Sequence, residues 1–175
     1  MNAAVKMYAD ALFELSLEKG VLSDTYAEIN AYGDVLAEHP GFLKLIAAPT
    51  IGMPDKILSV KKVFPDSGIC RDFLCLLTEK RRIFAFSAIL KHFNECYDSH
   101  MRILNVTCTV SKPLTAEQKT RLTEKLSEKS GKTVKLTEII DETILGGIIV
   151  DYGNTRIDSS IKGKLDKIAV QMKNT

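Results

Sequence analysis

The side chains with chemistry to offer are few and scattered along the 175 residues. His92, Cys96 and His100 stand at i, i+4 and i+8, so they share one helix face. Adjacent members could hold one metal ion. All three could not, because eight residues of helix rise about 12 Å and metal–ligand bonds are only about 2 Å. No fourth ligand is near in sequence, so no metal is expected and the three read as a mixed helix surface. His39, before Pro40, reads as a turn residue. Gly146-Gly147 might cradle a phosphate, but there is no GxGxxG or Walker pattern and no helix begins directly after the pair. Glycines in a strand instead permit a bulge or a close backbone approach, expected here from the helix at 115–129. No serine sits in a GxSxG elbow. Asp141, Asp151 and Asp158 all lie beside turn signals and read as caps and turn residues. No catalytic residue and no cofactor are therefore expected.

Two basic clusters remain, Lys80-Arg81-Arg82, and Arg156 with Lys162, Lys164 and Lys167. The first reads as a solvated inter-helix turn. The second suits solubility or an acidic partner. Neither is interleaved with aromatics or set in a recognition module, so nucleic acid is not an expected partner. The net charge of +2 agrees with that.

The elements that must position these residues change character once. To about residue 103 the apolar spacing is helical. In the first helix Ala4, Val5, Tyr8, Ala11, Leu12 and Leu15 form a stripe. Ala9 and Phe13 lie outside that stripe and widen the apolar surface, leaving Lys6, Asp10 and Glu14 to mark a polar side. That is more than a single buried face requires. Gly20 ends the helix. Ser23 or Asp24 can cap a second helix with Ile29, Tyr32, Leu36 and Ala37 inward. A short third runs from Phe42 to Ala47. A fourth starts at Pro54, with Ile57, Leu58, Val60 and Phe64. The fifth, Ile69 to Glu79, places Phe73, Leu74, Leu76 and Leu77 close together. The sixth runs from Phe84 to about Met101. An open apolar groove between two such helices would receive a third, amphipathic helix; a tightly packed bundle would bury the surplus instead.

Beyond residue 103 the period becomes two. Leu104, Val106, Cys108 and Val110 alternate with polar residues as a strand does. Thr115 and Gln118 form a capping box for a helix that Gly131 ends. Val134 to Ile140 is a second strand, and Ile144 to Val150 a third. Tyr152-Gly153-Asn154 is a turn, and Thr155 to Ile157 a short return strand. Asp158-Ser159-Ser160 can then cap a last helix along Ile161, Leu165, Ile168 and Met172. The expected fold is mainly α with a smaller α/β part: a six-helix bundle over 1–103, then a small α/β domain with a short sheet over 104–175.

No apolar run approaches the length of a membrane span, and Asp10 and Glu14 interrupt the apolar start, unlike a signal peptide. The four cysteines, Cys70, Cys75, Cys96 and Cys108, show no framework spacing and are expected to be reduced.

Ile140-Asp141, Gly146-Gly147, Val150, Gly153, Ile157-Asp158, Ser160, Gly163 and Leu165 together resemble the C-terminal signature of the delta subunit of the F-type ATP synthase, the bacterial relative of the oligomycin sensitivity-conferring protein. The resemblance extends over most of the chain. Tyr8 to Leu15 is similar to the family's YAxALFEL opening, Pro49 to Phe64 to its PxIxxxxKxxxLxxxF region, Asp72 to Leu77 to NFLxLL, and Gly131 to Leu136 to GKxVxL. The departures are Lys80 for the asparagine of ENxR (Arg82 keeps the arginine), Asp72 for the asparagine of NFL, and Glu142-Thr143 for a common proline and serine.

The resemblance implies a non-catalytic stator subunit, peripheral on the cytoplasmic face of a bacterial plasma membrane, that links the alpha/beta head to the peripheral stalk. The helical domain would bind the N-terminal helix of an alpha subunit through its first and fifth helices, at Tyr8, Ala11, Leu12, Leu15, Phe73, Leu76, Leu77 and Lys80. The C-terminal domain would engage the stalk's b subunit. Contact with the membrane would be indirect, through the complex, and no homo-oligomer is expected. The other readings of the residues are a helical adaptor in a different machine, or a small-molecule-binding enzyme using the C-terminal α/β unit.

Overall fold

The computed structural model describes residues 3–144, 146–153, 155–161 and 163. The chain forms two compact units, Met1–Tyr97 and Asp98–Thr175. The change of period marks the first strand, at residue 103, whereas the first unit ends six residues earlier, inside the last helix of the bundle.

The first unit is helical: α1 (Ala3–Glu18), α2 (Leu22–Glu38), α3 (Pro40–Ala47), α4 (Met53–Val63), α5 (Ile69–Glu79), a single 3-10 turn (Ile83–Ala85) and α6 (Phe86–His100), whose last residues belong to the second unit. Leu12, Ile29, Leu36, Val60, Leu74, Leu77, Ile89 and Phe93 are buried in one continuous core. At about 25 cal/mol per Å² of apolar surface removed from water, this burial is the main term holding the bundle together. Three expectations change here. No side chain caps α2; Val21 occupies the cap position, because Leu22 is itself buried and pulls the helix start back to it. The third helix begins at Pro40, where a ring that lacks an N–H costs nothing. Ala37, expected inward, faces solvent, as does Leu58 on the fourth helix. Buried Lys56 and Val60 turn α4 by another face.

Two chain reversals share one device. At the end of α1 the amide of Val21 donates to the Ser16 carbonyl (3.0 Å) and that of Gly20 to Leu17 (3.1 Å), with Gly20 at φ +67. At the end of α5 Arg82 donates to Leu77 (2.8 Å) and Arg81 to Thr78 (3.0 Å), with Arg81 at φ 55. Both are Schellman caps, but the second places an arginine where glycine is preferred.

The second unit is a four-stranded sheet in the order β2-β1-β3-β4, with β1 at Ile103–Val110, β2 at Thr133–Ile140, β3 at Ile148–Tyr152 and β4 at Thr155–Asp158. Helix α7 (Ala116–Ser130) crosses from β1 to β2, so that pair is parallel. The β1–β3 and β3–β4 pairs are antiparallel. The Thr115–Gln118 capping box opens α7 and left-handed Gly131 closes it. Val106, Cys108 and Val110 are buried while their neighbours along β1 are not, the alternation expected of one covered face. Of the expected last helix, Leu165, Ile168 and Met172 lie outside the described residues, as do Lys162, Lys164 and Lys167.

Candidate functional site

Helix α1 carries two apolar stripes. Val5, Ala9, Leu12 and Ser16, at spacings of four, three and four, are buried against the bundle. The Ser16 hydroxyl is satisfied by donating to the Leu12 carbonyl at 2.7 Å. Tyr8, Ala11 and Leu15 form the second stripe, and Met7 beside them is 61% exposed. The expected single stripe mixed the two, and it left out Ala9, which has no exposure at all.

Helix α5 has the same duality. Cys70, Phe73, Leu74, Cys75, Leu77 and Thr78 are buried, while Ile69, Asp72 and Leu76 continue on an open side. Between the helices lies a groove of about 480 Å³, lined by Met7, Tyr8, Ala11, Leu12, Leu15, Lys19, Ile69, Asp72, Phe73 and Leu76. Lys19 and Asp72 contribute the only formal charges. The Tyr8 ring meets the edge of Phe73 at 6.4 Å, and the Arg82 guanidinium sits 5.7 Å over the Tyr8 ring, an attraction of about 0.5–1 kcal/mol at an exposed site. The cap that ends α5 thus also fixes the groove wall.

Six of the eight expected groove residues line this hollow: Tyr8, Ala11, Leu12, Leu15, Phe73 and Leu76. Leu77 does not. It is fully buried in the bundle core, because one residue along a helix turns the side chain by about 100°. Lys80 is exposed at the end of α5 and lies outside the lining. Sequence reasoning missed Met7, Lys19, Ile69 and Asp72. Ile69 and Asp72 stand at i−7 and i−4 from Leu76, a spacing that could have found them.

In the second unit the signature residues fold the chain onto itself. Gly146 and Gly147 lie outside β3, at φ +149 and +90. A Cβ on Gly147 would come within 2.6 Å of the Ser159 carbonyl oxygen and 2.7 Å of the Ser160 Cα. The close approach is therefore by the 159–160 backbone, not by α7 as expected, since Ser159 donates to the Ile148 carbonyl (3.0 Å) and Ile161 to that of Gly146 (3.0 Å). Asp141 accepts from the Thr143 amide at 2.9 Å and its hydroxyl at 2.6 Å, and these bonds hold its carboxyl below the usual range. Asp158 accepts from the Ser160 amide at 2.8 Å. The buried Ser160 hydroxyl accepts from the Gly163 amide at 3.0 Å, the bond of an N-cap. Gly153, at φ +55, makes the turn between β3 and β4. Asp151 faces Arg156 at 3.8 Å. Asp141 and Asp158 serve turns, as their sequence context suggested, whereas Asp151 makes an ion pair that it did not.

A third grouping was only half visible in sequence. Asp10 of α1 meets His92 and Cys96 of α6; His100 is not part of it. Burial, and then Asp10 beside it, pushes the Cys96 thiol up, which argues against a reactive thiolate.

The family model for the ATP synthase delta (OSCP) subunit matches residues 4–172. The chain belongs to that family. An ATP synthase subunit delta from Fuscovulum blasticum is 38% identical over 169 residues, covering 95% of this chain and 91% of the relative. One from a Geobacillus species is 33% identical, covering 95% of each. In fold the chain is similar to a chain of the Toxoplasma gondii mitochondrial ATP synthase hexamer, with a TM-score of 0.74 at 19% identity over 98% of both chains. As a delta (OSCP) subunit it is a structural, non-catalytic part of the F-type ATP synthase stator, which links the catalytic head to the peripheral stalk. Among the described residues no helix is long and apolar enough to cross a membrane, consistent with peripheral association through the complex.

Proposed function

We propose that the α1–α5 groove receives the N-terminal helix of an alpha subunit, and that the second unit engages the end of the peripheral-stalk b subunit. The first unit then grips the head and the second grips the stalk, so the head cannot turn with the rotor and torque drives ATP synthesis. The protein would lie at the cytoplasmic face of the bacterial plasma membrane. One observation carries the reading: an apolar trough, open to solvent, between two helices whose other faces are already used by the core. Such a trough suits the apolar face of an amphipathic helix, which buries i, i+3, i+4 and i+7 anchors along it. Lys19 and Asp72 at its margins offer opposite charges that can set the direction of the incoming helix. A tether under torque needs slow release, and affinity differences between related complexes lie mostly in the off-rate. On the second unit, Ile139 and Ile140 at the end of β2 and Ile157 on β4 are exposed, and they are the apolar positions proposed for b.

Ala11→Trp tests the first contact. Ala11 is exposed at the groove, so an indole there fills the trough without entering the core. Titration with a peptide of the first twenty or so residues of the cognate alpha subunit should show affinity lowered by at least about tenfold, or 1.4 kcal/mol, with the helical circular dichroism and unfolding midpoint unchanged. Unchanged affinity would remove Ala11 from the contact.

A further inference from the structure

We propose that Asp10, His92 and Cys96 form a site for a single zinc-like divalent cation that staples α1 to α6. The Asp10 Oδ1 and His92 Nε2 atoms are 3.2 Å apart, Cys96 Sγ and Asp10 Oδ1 are 3.7 Å apart, and Cys96 Sγ and His92 Nε2 are 3.8 Å apart. Zinc bonds of about 2.0 Å to oxygen, 2.05 Å to nitrogen and 2.3 Å to sulfur, set at tetrahedral angles, give edges of about 3.3, 3.5 and 3.55 Å for the same three pairs. The side chains thus already form one face of a coordination tetrahedron, within about 0.3 Å on each edge.

The donor set selects the metal. The metal must displace the Cys96 thiol proton to solvent as it binds, and the resulting thiolate with an imidazole favours zinc and related transition ions over magnesium or calcium, which take oxygen ligands. The second sphere fits as well. His92 Nδ1 lies 3.3 Å from Glu95 Oε2, the carboxylate–histidine arrangement that leaves Nε2 free to ligate. In the tautomer whose Nδ1–H donates to Glu95, Nε2 and Oδ1 face each other as acceptors; a cation between them can take the place of the thiol proton that Cys96 donates to Oδ1. The helix spacing explains the origin of the site. His92 and Cys96 are neighbours at i, i+4, and the ligand from elsewhere comes from a helix more than eighty residues away. Asp10 is also turned about 200° around α1 from Tyr8, so the site and the groove do not compete.

The test uses the full chain, purified reduced and metal-free. Equilibrium dialysis against Zn2+ alone should show one tightly bound ion per chain. Co2+ alone should give a thiolate-to-cobalt charge-transfer band. Cys96→Ser and Asp10→Asn should abolish the band and weaken zinc binding by at least tenfold. Glu95→Gln, which removes no ligand, should weaken it about 10- to 100-fold while keeping the band. The three remaining cysteines are buried and should not contribute. Unchanged helical circular dichroism in the metal-free variants establishes that each has folded. No saturable binding to the wild type would overturn the site. So would zinc affinity unchanged by Cys96→Ser, which would leave Asp10 and His92 as a plain contact between helices.

Discussion

At the scale of single residues, Leu76 and Leu77 show how one position along a helix separates function from stability. Leu77 has no exposure and Leu76 is 38% exposed in the groove. Leu77→Ala should destabilise the first unit by roughly 2–5 kcal/mol, the cost of lost transfer energy plus a cavity, read by urea unfolding. Leu76→Ala should leave the unfolding midpoint nearly unchanged and weaken the alpha-peptide complex. Both leucines were visible in the sequence as apolar neighbours on one helix. Which one faced inward was not, because the helix has buried neighbours on several sides and local spacing does not say where those neighbours lie. Arg81 is a second case. Its left-handed conformation costs an ordinary residue about 1–2 kcal/mol relative to glycine, part of which is offset by glycine's greater freedom in the unfolded chain. Arg81→Gly should therefore raise stability by up to about 1 kcal/mol, measured as a higher urea midpoint at unchanged slope. Nothing in the run Lys80-Arg81-Arg82 marks a helix cap, which is why it read as a solvated turn.

At the scale of elements, the existence and type of nearly every helix and strand followed from the sequence, because period 3.6 and period 2 are strong signals in segments this long. The fifth helix, expected over roughly these residues, runs Ile69–Glu79, since Gly68 precedes it and the Schellman cap follows. Boundaries slipped where tertiary burial overrode local capping, as at Leu22. They slipped again where the backbone left the sheet: the apolar run from Ile144 suggested a strand through the glycine pair, but β3 begins only at Ile148. The surplus apolar surface of α1 was legible; its division into a core stripe and a groove stripe needed α5 in place. In the second unit, Glu138 ties β2 to the start of α7. It accepts from Lys119 at 2.7 Å and from the Leu114 amide at 2.6 Å, and the Lys119 bond, then the Leu114 bond, hold its carboxyl below the usual range. A depressed folded pKa contributes stability that is present above the unfolded value, about 4.3 for glutamate, and is lost as pH falls through the folded one. Acidification below about pH 4 should therefore lower amide protection in β2 relative to the unfolded chain at the same pH, and Glu138→Gln should flatten that dependence. An unchanged acid profile in the variant would mean that the contact does not stabilise the second unit.

At the scale of the whole molecule, the proposed division of labour assigns one partner to each of the two compact units. Family membership and the non-catalytic role rest on the match over residues 4–172, and the mixed architecture on the observed helices and sheet. The contacts themselves rest on the groove. Because the groove is lined almost wholly by apolar side chains, docking there should survive moderate salt, unlike binding driven by charge. The most direct test is a methyl NMR spectrum of the full chain during titration with the first twenty or so residues of its cognate alpha subunit. The account predicts that the signals of Met7, Leu15, Ile69 and Leu76 move together to one saturating endpoint, while those of Ile29, Ile89 and Val106 stay in place. Movement confined to the second unit, or no movement at saturating peptide, would contradict it.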